Sequence, residues 1–297
     1  MIDGALLLDK PVGITSNRAL QEAKKLVGAK KAGHAGTLDP LASGLLIVLF
    51  GEATKFAGPL LEDDKEYLAT LKLGEKTTTG DAEGEVIERK PVEVSEPGLG
   101  LVLRNFRGEI EQVPPMHSAL KRDGVPLYEL ARKGKTVARE PRRVRITELE
   151  SLEVNMPYLK LRVRCSKGTY VRTLAEDIGE ALGTCAHLTA LRRTASGRWR
   201  VEDAVSLDCL SSPDRMKHLL TLQRLLADLP RAELDAGEQA RFRNGQALKT
   251  TLGEGLYAVF GGSGQLIGLG EAGAAGELRP LRLLSASQAA DKHPKTL

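Results

Sequence analysis

Cysteine is scarce in this chain of 297 residues: Cys165, Cys185 and Cys209 lie far apart, form no CxxC pair and are odd in number. That excludes a disulfide framework and a zinc ribbon and fits a reducing compartment. The five histidines are scattered without HxxxH spacing, so no metal site follows. No GxxxxGK[ST] occurs, which excludes a Walker A loop. Long apolar runs are missing as well. The short one in MIDGALLLDKPVG has no basic flank and is no signal peptide, and the others fall well short of a membrane span. A cytoplasmic protein without membrane association is expected.

What is present suits a soluble protein with a packed core, since 41% of residues are hydrophobic and 28% charged. The net charge of +4 and pI of about 8.9 are mildly basic. Three basic clusters say more: Lys24, Lys25, Lys30 and Lys31; Arg142, Arg143 and Arg145; and Arg192, Arg193, Arg198 and Arg200. Any one would ordinarily be a solvated face. Together, flanking the segments discussed below, they are expected to contact phosphates.

GALLLDK reads as a buried strand broken by Pro11 and Gly13, and ALQEAKKLV as a helix capped by Thr15 or Ser16 and ended by Gly28. LLIVLF, EYLATLKLG, RRVRITELESLEV and YLKLRVRCSKG read as strands, and TYVRTLAEDIGEALG as an amphipathic helix ended by Gly183. Residues 75–98 are polar and acidic and are expected to form a surface excursion, and QVPPMHSALKRDGVPLYELARKG an inserted arm of about 105–145 with a short helix. After Leu229-Pro230 short strands separated by glycine turns suggest a small β-rich domain over 230–286, with a polar tail at 287–297. The class is therefore α+β, a mixed, largely antiparallel sheet flanked by helices. GLGEAG at 268–273 matches GxGxxG, but no helix or spaced acid follows it, so it reads as a glycine-rich β-turn rather than a dinucleotide site. His117-Ser118 has neither the separation nor the GxSxG turn of a hydrolase.

The chemistry-bearing candidates lie in four segments. In GHAGTLDPLASG, Asp39 is stiffened by Pro40, and glycines at 33, 36 and 44 allow close approach of a backbone or ligand. A rigid carboxylate at a strand end is a plausible nucleophile, although a lone Asp-Pro is more often a turn. In DKEYLATLKLG, Tyr67 opens a strand after an acidic turn. In KGTYVRTLAEDIG, Arg172 falls in a helix's first turn, where a cation opposes the dipole unless a carboxylate answers it. Asp39 could do so, and a bidentate guanidinium would keep it ionised. In LTALRRTASGRW, Leu191 precedes two arginines.

These segments, with DKPVGITS, GEATKF, KEY, QVPPMHSALK and LRRTASG in one order across residues 4–200, resemble the TruB family of tRNA pseudouridine synthases, and the end of the chain resembles a PUA-type RNA-binding domain. The resemblance implies isomerisation of uridine 55 in the TΨC loop of tRNA, without cofactor or metal and without an obligate protein partner, the tRNA T-arm being the partner. Carried over by position, Asp39 would be the nucleophile and Tyr67 the tyrosine that stacks on the base and helps remove its C5 proton. Arg172 would be the partner of the aspartate, Tyr170 a second aromatic of the pocket, and His34 the wedge left in the RNA when the base leaves. Leu191 would contact substrate, and Lys10 and Pro11 would lie beneath the site. His117 and Thr78 stand where the family pattern has tyrosine and aspartate. A non-catalytic tRNA-binding protein and a guide-RNA-dependent synthase are the alternatives.

Overall fold

In the computed structural model, residues 2–285 are described, apart from 119 and 123. The proposed tail at 287–297 lies outside the described residues. The largest element is a nine-stranded sheet. Its main path runs Gly4–Lys10, Ala42–Phe50, Ala186–Ser196, Lys65–Leu73, Tyr158–Cys165, Arg142–Asn155, Gly108–Gln112. Ala32–Ala35 pairs with Ala42–Phe50, and Trp199–Arg200 with Ala186–Ser196. Along this path every ladder is antiparallel except the one joining Ala42–Phe50 to Ala186–Ser196. This is the mixed, largely antiparallel α+β architecture expected.

The strand Ala42–Phe50 shows why the sheet folds where it does. From Leu45 to Phe50 every residue is apolar and fully buried, which a strand achieves only when both of its faces are covered. Leu46, Val48 and Phe50 pack on Ala19, Leu20, Ala23 and Val27 of the helix Ser16–Val27. The alternate residues Leu45, Ile47 and Leu49 share a core with Phe56, Trp199 and, from the end of the chain, Ala258, Phe260 and Leu269. Each such side chain contributes about 1.5–3 kcal/mol by leaving water. Thr15 caps the helix through Arg18 N–H, and Gly28 ends it at φ 81°.

A third core lies under the opposite half of the sheet, where Leu71, Leu161 and Val163 meet Leu174 and Ile178 of the helix Val171–Ala181 and Leu99 and Leu103 of the helix Glu96–Asn105. The strands after residue 230 form a separate five-stranded sheet, in the order Arg231–Leu234, Gly255–Gly261, Leu266–Gly273, Glu277–Leu283, Leu248–Lys249. Among the described residues no helix is long and apolar enough to cross a membrane.

Three features differ from the sequence reading. Ala186–Ser196 is a central strand, although its TALRRTAS text carries two adjacent arginines. GLGEAG lies inside the strand Leu266–Gly273 instead of forming a turn. Gly268 and Gly270 serve close packing: a Cβ on Gly268 would stand 2.1 Å from Arg282 O. Finally, residues 75–98 are more than a surface excursion. After the short pair Glu75–Thr77 and Val86–Arg89, the turn between them returns to the sheet, bridging Asp81 to Leu188 and burying Asp81 to 3% exposure.

Candidate active site

The loop between Ala32–Ala35 and Ala42–Phe50 carries Asp39, and it is held from the N-terminal turn. Ser16 Oγ donates to Leu38 O at 2.9 Å and accepts from Leu38 N–H at 2.7 Å. Gly13 N–H donates to Pro40 O at 2.8 Å, and Ala42 N–H to Asp39 O at 3.0 Å. Thr15 therefore caps the helix while the buried Ser16 pins the Asp39 loop. The two glycines of the loop text that have a steric reason are Gly44 and Gly36. A Cβ on Gly44, at φ 100°, would stand 2.3 Å from Arg193 O, and one on Gly36, at φ 89°, 3.2 Å from Arg193 Nη1.

Arg172 rises from the first turn of the helix Val171–Ala181 and is 6% exposed. Its Nη2 lies 3.0 Å from Asp39 Oδ2 and donates to His117 O at 2.8 Å. Its Nη1 donates to Thr79 O at 3.2 Å, and its Nε lies 3.6 Å from Asp81 Oδ2. The cation at a helix N-terminus is thus answered by two carboxylates. Only one nitrogen reaches Asp39, so the pairing is not the bidentate fork expected. Nor does the arginine win the balance on Asp39. Burial pushes that carboxyl above its ordinary value, Arg172 pulls it down, and Asp81 pushes it up again. Asp81 was invisible in the sequence as one acid in a polar stretch. Here Thr79 Oγ1 donates to its Oδ1 at 2.6 Å, and so does Glu83 N–H at 3.1 Å.

Tyr67 stands on Lys65–Leu73, half-buried, with its hydroxyl toward Arg193. Burial raises its pKa, the Arg193 charge and hydrogen bond pull it down, and Cys165 and Asp39 push it up. Tyr170 immediately precedes the helix. Its N–H donates to Gln112 Oε1 at 3.1 Å, and Gln112 Nε2 donates to its carbonyl at 3.3 Å, so this buried glutamine fixes the aromatic's backbone. Lys10 is fully buried, with Nζ donating to Pro11 O at 2.8 Å and Ile14 O at 2.7 Å. Desolvation lowers its pKa to about 8, with Asp39 the first charge opposing that shift. Pro11 itself is exposed on that turn. His34, half-buried, faces Gly36 O through Nδ1 at 3.1 Å, and burial lowers its pKa. Leu191, 9% exposed, packs in the core beside Ala42 and Ala69. The candidates gather around one loop, Leu191 as a wall element and Pro11 as a turn residue.

The third basic cluster is divided: Arg198 and Arg200 are exposed, Arg192 is half-buried and Arg193 is buried. Arg192 forms a two-point pair with Asp9 at 2.7 and 3.0 Å. Arg193 is buried, and Arg198 pairs with Asp228 at 2.8 Å and stacks on Trp199. These arginines are engaged within the fold; phosphate contact cannot be read from their text. Arg142, Arg143 and Arg145 are exposed, as are Lys25, Lys30 and Lys31. At position 117 the contact to Arg172 is made by the main chain, so the side chain there is free to differ. Among the described residues no cluster of acids, histidines and cysteines could hold a metal ion.

The fold defines the class. The structure matches a solved H/ACA ribonucleoprotein bound to a substrate RNA containing 2′-deoxyuridine with TM-score 0.69 and 26% identity, over 98% of this chain and 81% of that one. Family models then match almost the whole chain: TruB family pseudouridylate synthase, N-terminal domain, over residues 24–171, tRNA pseudouridylate synthase B C-terminal domain over 172–231, and pseudouridine synthase II TruB, C-terminal, over 230–284. The chain belongs to the TruB family of pseudouridylate synthases. It is 59% identical to tRNA pseudouridine synthase B of Burkholderia lata over 84% of this chain and 78% of that protein. It is 51% identical to the protein of that name from Dechloromonas aromatica over 95% of this chain and 96% of that one.

Proposed function

We propose that this chain isomerises uridine to pseudouridine in tRNA, at uridine 55 of the TΨC loop, with Asp39 as nucleophile. The observation that carries the reading is a carboxylate on a loop pinned at both ends, 3.0 Å from a guanidinium that a second carboxylate also holds. The relatives named tRNA pseudouridine synthase B supply the substrate. An Asp39 oxygen attacks C1′ while the N1–C1′ pair leaves with the base. The base turns, C5 bonds to C1′, and the carboxylate is released. The C5–H pair then re-forms the C5=C6 bond and the C6=N1 pair returns to N1, which takes a proton from solvent. The C5 proton passes to the phenolate oxygen of Tyr67, the minor form of a hydroxyl whose pKa burial raises, its own proton having gone to solvent beforehand. Atoms are conserved and nothing is oxidised, so the reaction has no need of a cofactor or metal. Water at C1′ would hydrolyse the sugar, and the apolar wall formed by Leu38 and Leu191 opposes it.

In this reading, Tyr67 and Tyr170 frame the flipped base, His34 fills the space left in the RNA, and Lys10 and Pro11 support the loop from below. Leu191 acts from the wall. The exposed lysines after the first helix and Arg142, Arg143 and Arg145 contact phosphates, giving log K a slope of about −0.7 per contact against log salt. Residues 1–229 form the catalytic domain, 105–145 its RNA-binding arm, and 230–286 a PUA-like RNA-binding domain. The test uses a tRNA transcript tritiated at uridine C5. The wild type releases tritium stoichiometrically, and Asp39→Asn binds the RNA and releases essentially none. Release by the Asn variant at the wild-type rate defeats the assignment of Asp39. Unchanged release from a transcript with cytidine at position 55 defeats the choice of uridine.

A further inference from the structure

Arg193 is 2% exposed and is the largest of the fully buried side chains. Its Nε donates to Leu45 O at 2.6 Å, and Arg193 stands directly opposite Tyr67 in the antiparallel ladder between Ala186–Ser196 and Lys65–Leu73, where its charge acts on the tyrosine hydroxyl. Nη2 finds no hydrogen-bond partner among the described residues. No carboxylate pairs with it there either. Its surroundings repel it: Lys10 from the first strand, His34 from the strand before the catalytic loop, and Lys65 from Tyr67's own strand all experience it as a like charge. Burying a cation in such company is costly. Packing alone would be better served by a hydrocarbon of the same size. What a guanidinium offers is a fixed donor and a positive charge beside one phenolic oxygen.

We propose that Arg193 is a positioning residue for the isomerisation, holding the Tyr67 hydroxyl in place and balancing the phenolate that accepts the C5 proton. This rests on the reading of Tyr67 given above. The charged or titratable groups facing Tyr67 from neighbouring elements are Arg193, Cys165 and Asp39. The Cys165 thiol, pushed up to about 12 by burial, is neutral over the working range. Asp39 disfavours the phenolate, so Arg193 is the group that favours it. The close fit of Gly36 over the Arg193 guanidinium ties the same side chain to the loop that carries Asp39, while Gly44 fits against the Arg193 main chain.

Single-turnover tritium release from the tRNA transcript, followed against pH, tests this in a two-by-two set of Arg193→Gln and Tyr67→Phe. Removing Arg193 alone lowers the rate at neutral pH about ten-fold or more and moves its rising limb to higher pH. In the Tyr67→Phe background the same change costs less than about two-fold, because the group it serves is gone. Arg193→Lys, which keeps the charge, moves the limb less than Arg193→Gln. Equal losses in both backgrounds with an unmoved limb overturn the proposal. Should Arg193→Gln not fold, Arg193→Lys carries the cycle. Ring-labelled tyrosine then reads the titration of Tyr67 directly by NMR, its signal identified by loss in Tyr67→Phe. A Tyr67 titration that neither Arg193→Gln nor Arg193→Met, both lacking the charge, moves to higher pH also overturns it. An inactive wild type would instead defeat the function proposed above, whereas an active wild type with additive losses defeats only this inference.

Discussion

Two buried arginines flank the loop that carries Asp39, and they are treated in opposite ways. Arg172, on the helix side, is met by Asp39 and Asp81 and by the carbonyls of Thr79 and His117. Arg193, on the sheet side, has one carbonyl, one phenol and the like-charged neighbours Lys10 and Lys65. One side is electrostatically closed, the other left open. A closed ion network holds its geometry and resists change of charge, whereas a partly satisfied cation makes an adjacent acid easier to ionise. In the function proposed above, Asp39 as nucleophile would need the first property and Tyr67 as proton acceptor the second.

The largest effect is expected from opening the closed side. Arg172→Ala leaves Asp39 and Asp81 facing each other and should lower kcat about 10²–10³-fold, with tRNA affinity little changed in a filter-binding assay. Lost affinity with normal turnover of bound RNA would show that the arginine serves the RNA and not the aspartate. A smaller effect follows from Asp81→Asn, which keeps the shape and removes one charge from Arg172. The loss of about one charge-assisted bond should cost roughly ten-fold in single-turnover rate. An undiminished rate would mean that Asp39 alone suffices to hold Arg172. The smallest effect concerns stability on the open side. Burial lowers the Lys10 pKa to about 8, so the folded state binds its proton less tightly than the unfolded chain does. The unfolding free energy gains from Lys10 as pH rises from about 8 toward 10.5, and this gain is absent below the folded value. Urea melts across that range should show the gain in the wild type and not in Lys10→Met; parallel curves would mean that Lys10 is not buried as a cation.

Most strands were legible because their apolar alternation is local. Ala42–Phe50 announces itself by an unbroken apolar run, and Gly28 and Gly183 mark helix ends by conformation alone. Asp39, Tyr67, Tyr170 and Arg172 were legible as an ordered set of motifs more than as individual residues. Asp81 was not, because its significance lies in a chain reversal that brings an acidic turn back under a helix N-terminus. Ser16 was taken with Thr15 as a candidate cap, and nothing local says which hydroxyl points outward. Arg193 was hidden for the opposite reason. An arginine beside another arginine reads as surface, yet on a central strand adjacent residues face opposite sides, so Arg192 reaches Asp9 while Arg193 enters the core.

The Ser16–Leu38 clasp joins residues 22 positions apart, and the Gly13–Pro40 bond closes the same span a second time. The position of Asp39 is therefore stored in the first sixteen residues as much as in its own loop. Closure of that span carries an entropic cost that local turns avoid, so the catalytic loop cannot be ordered before the opening strand has docked. Ser16→Ala would leave the apolar cores composed and the Asp39 loop without its clasp, separating a folded protein from a working one by a single hydroxyl.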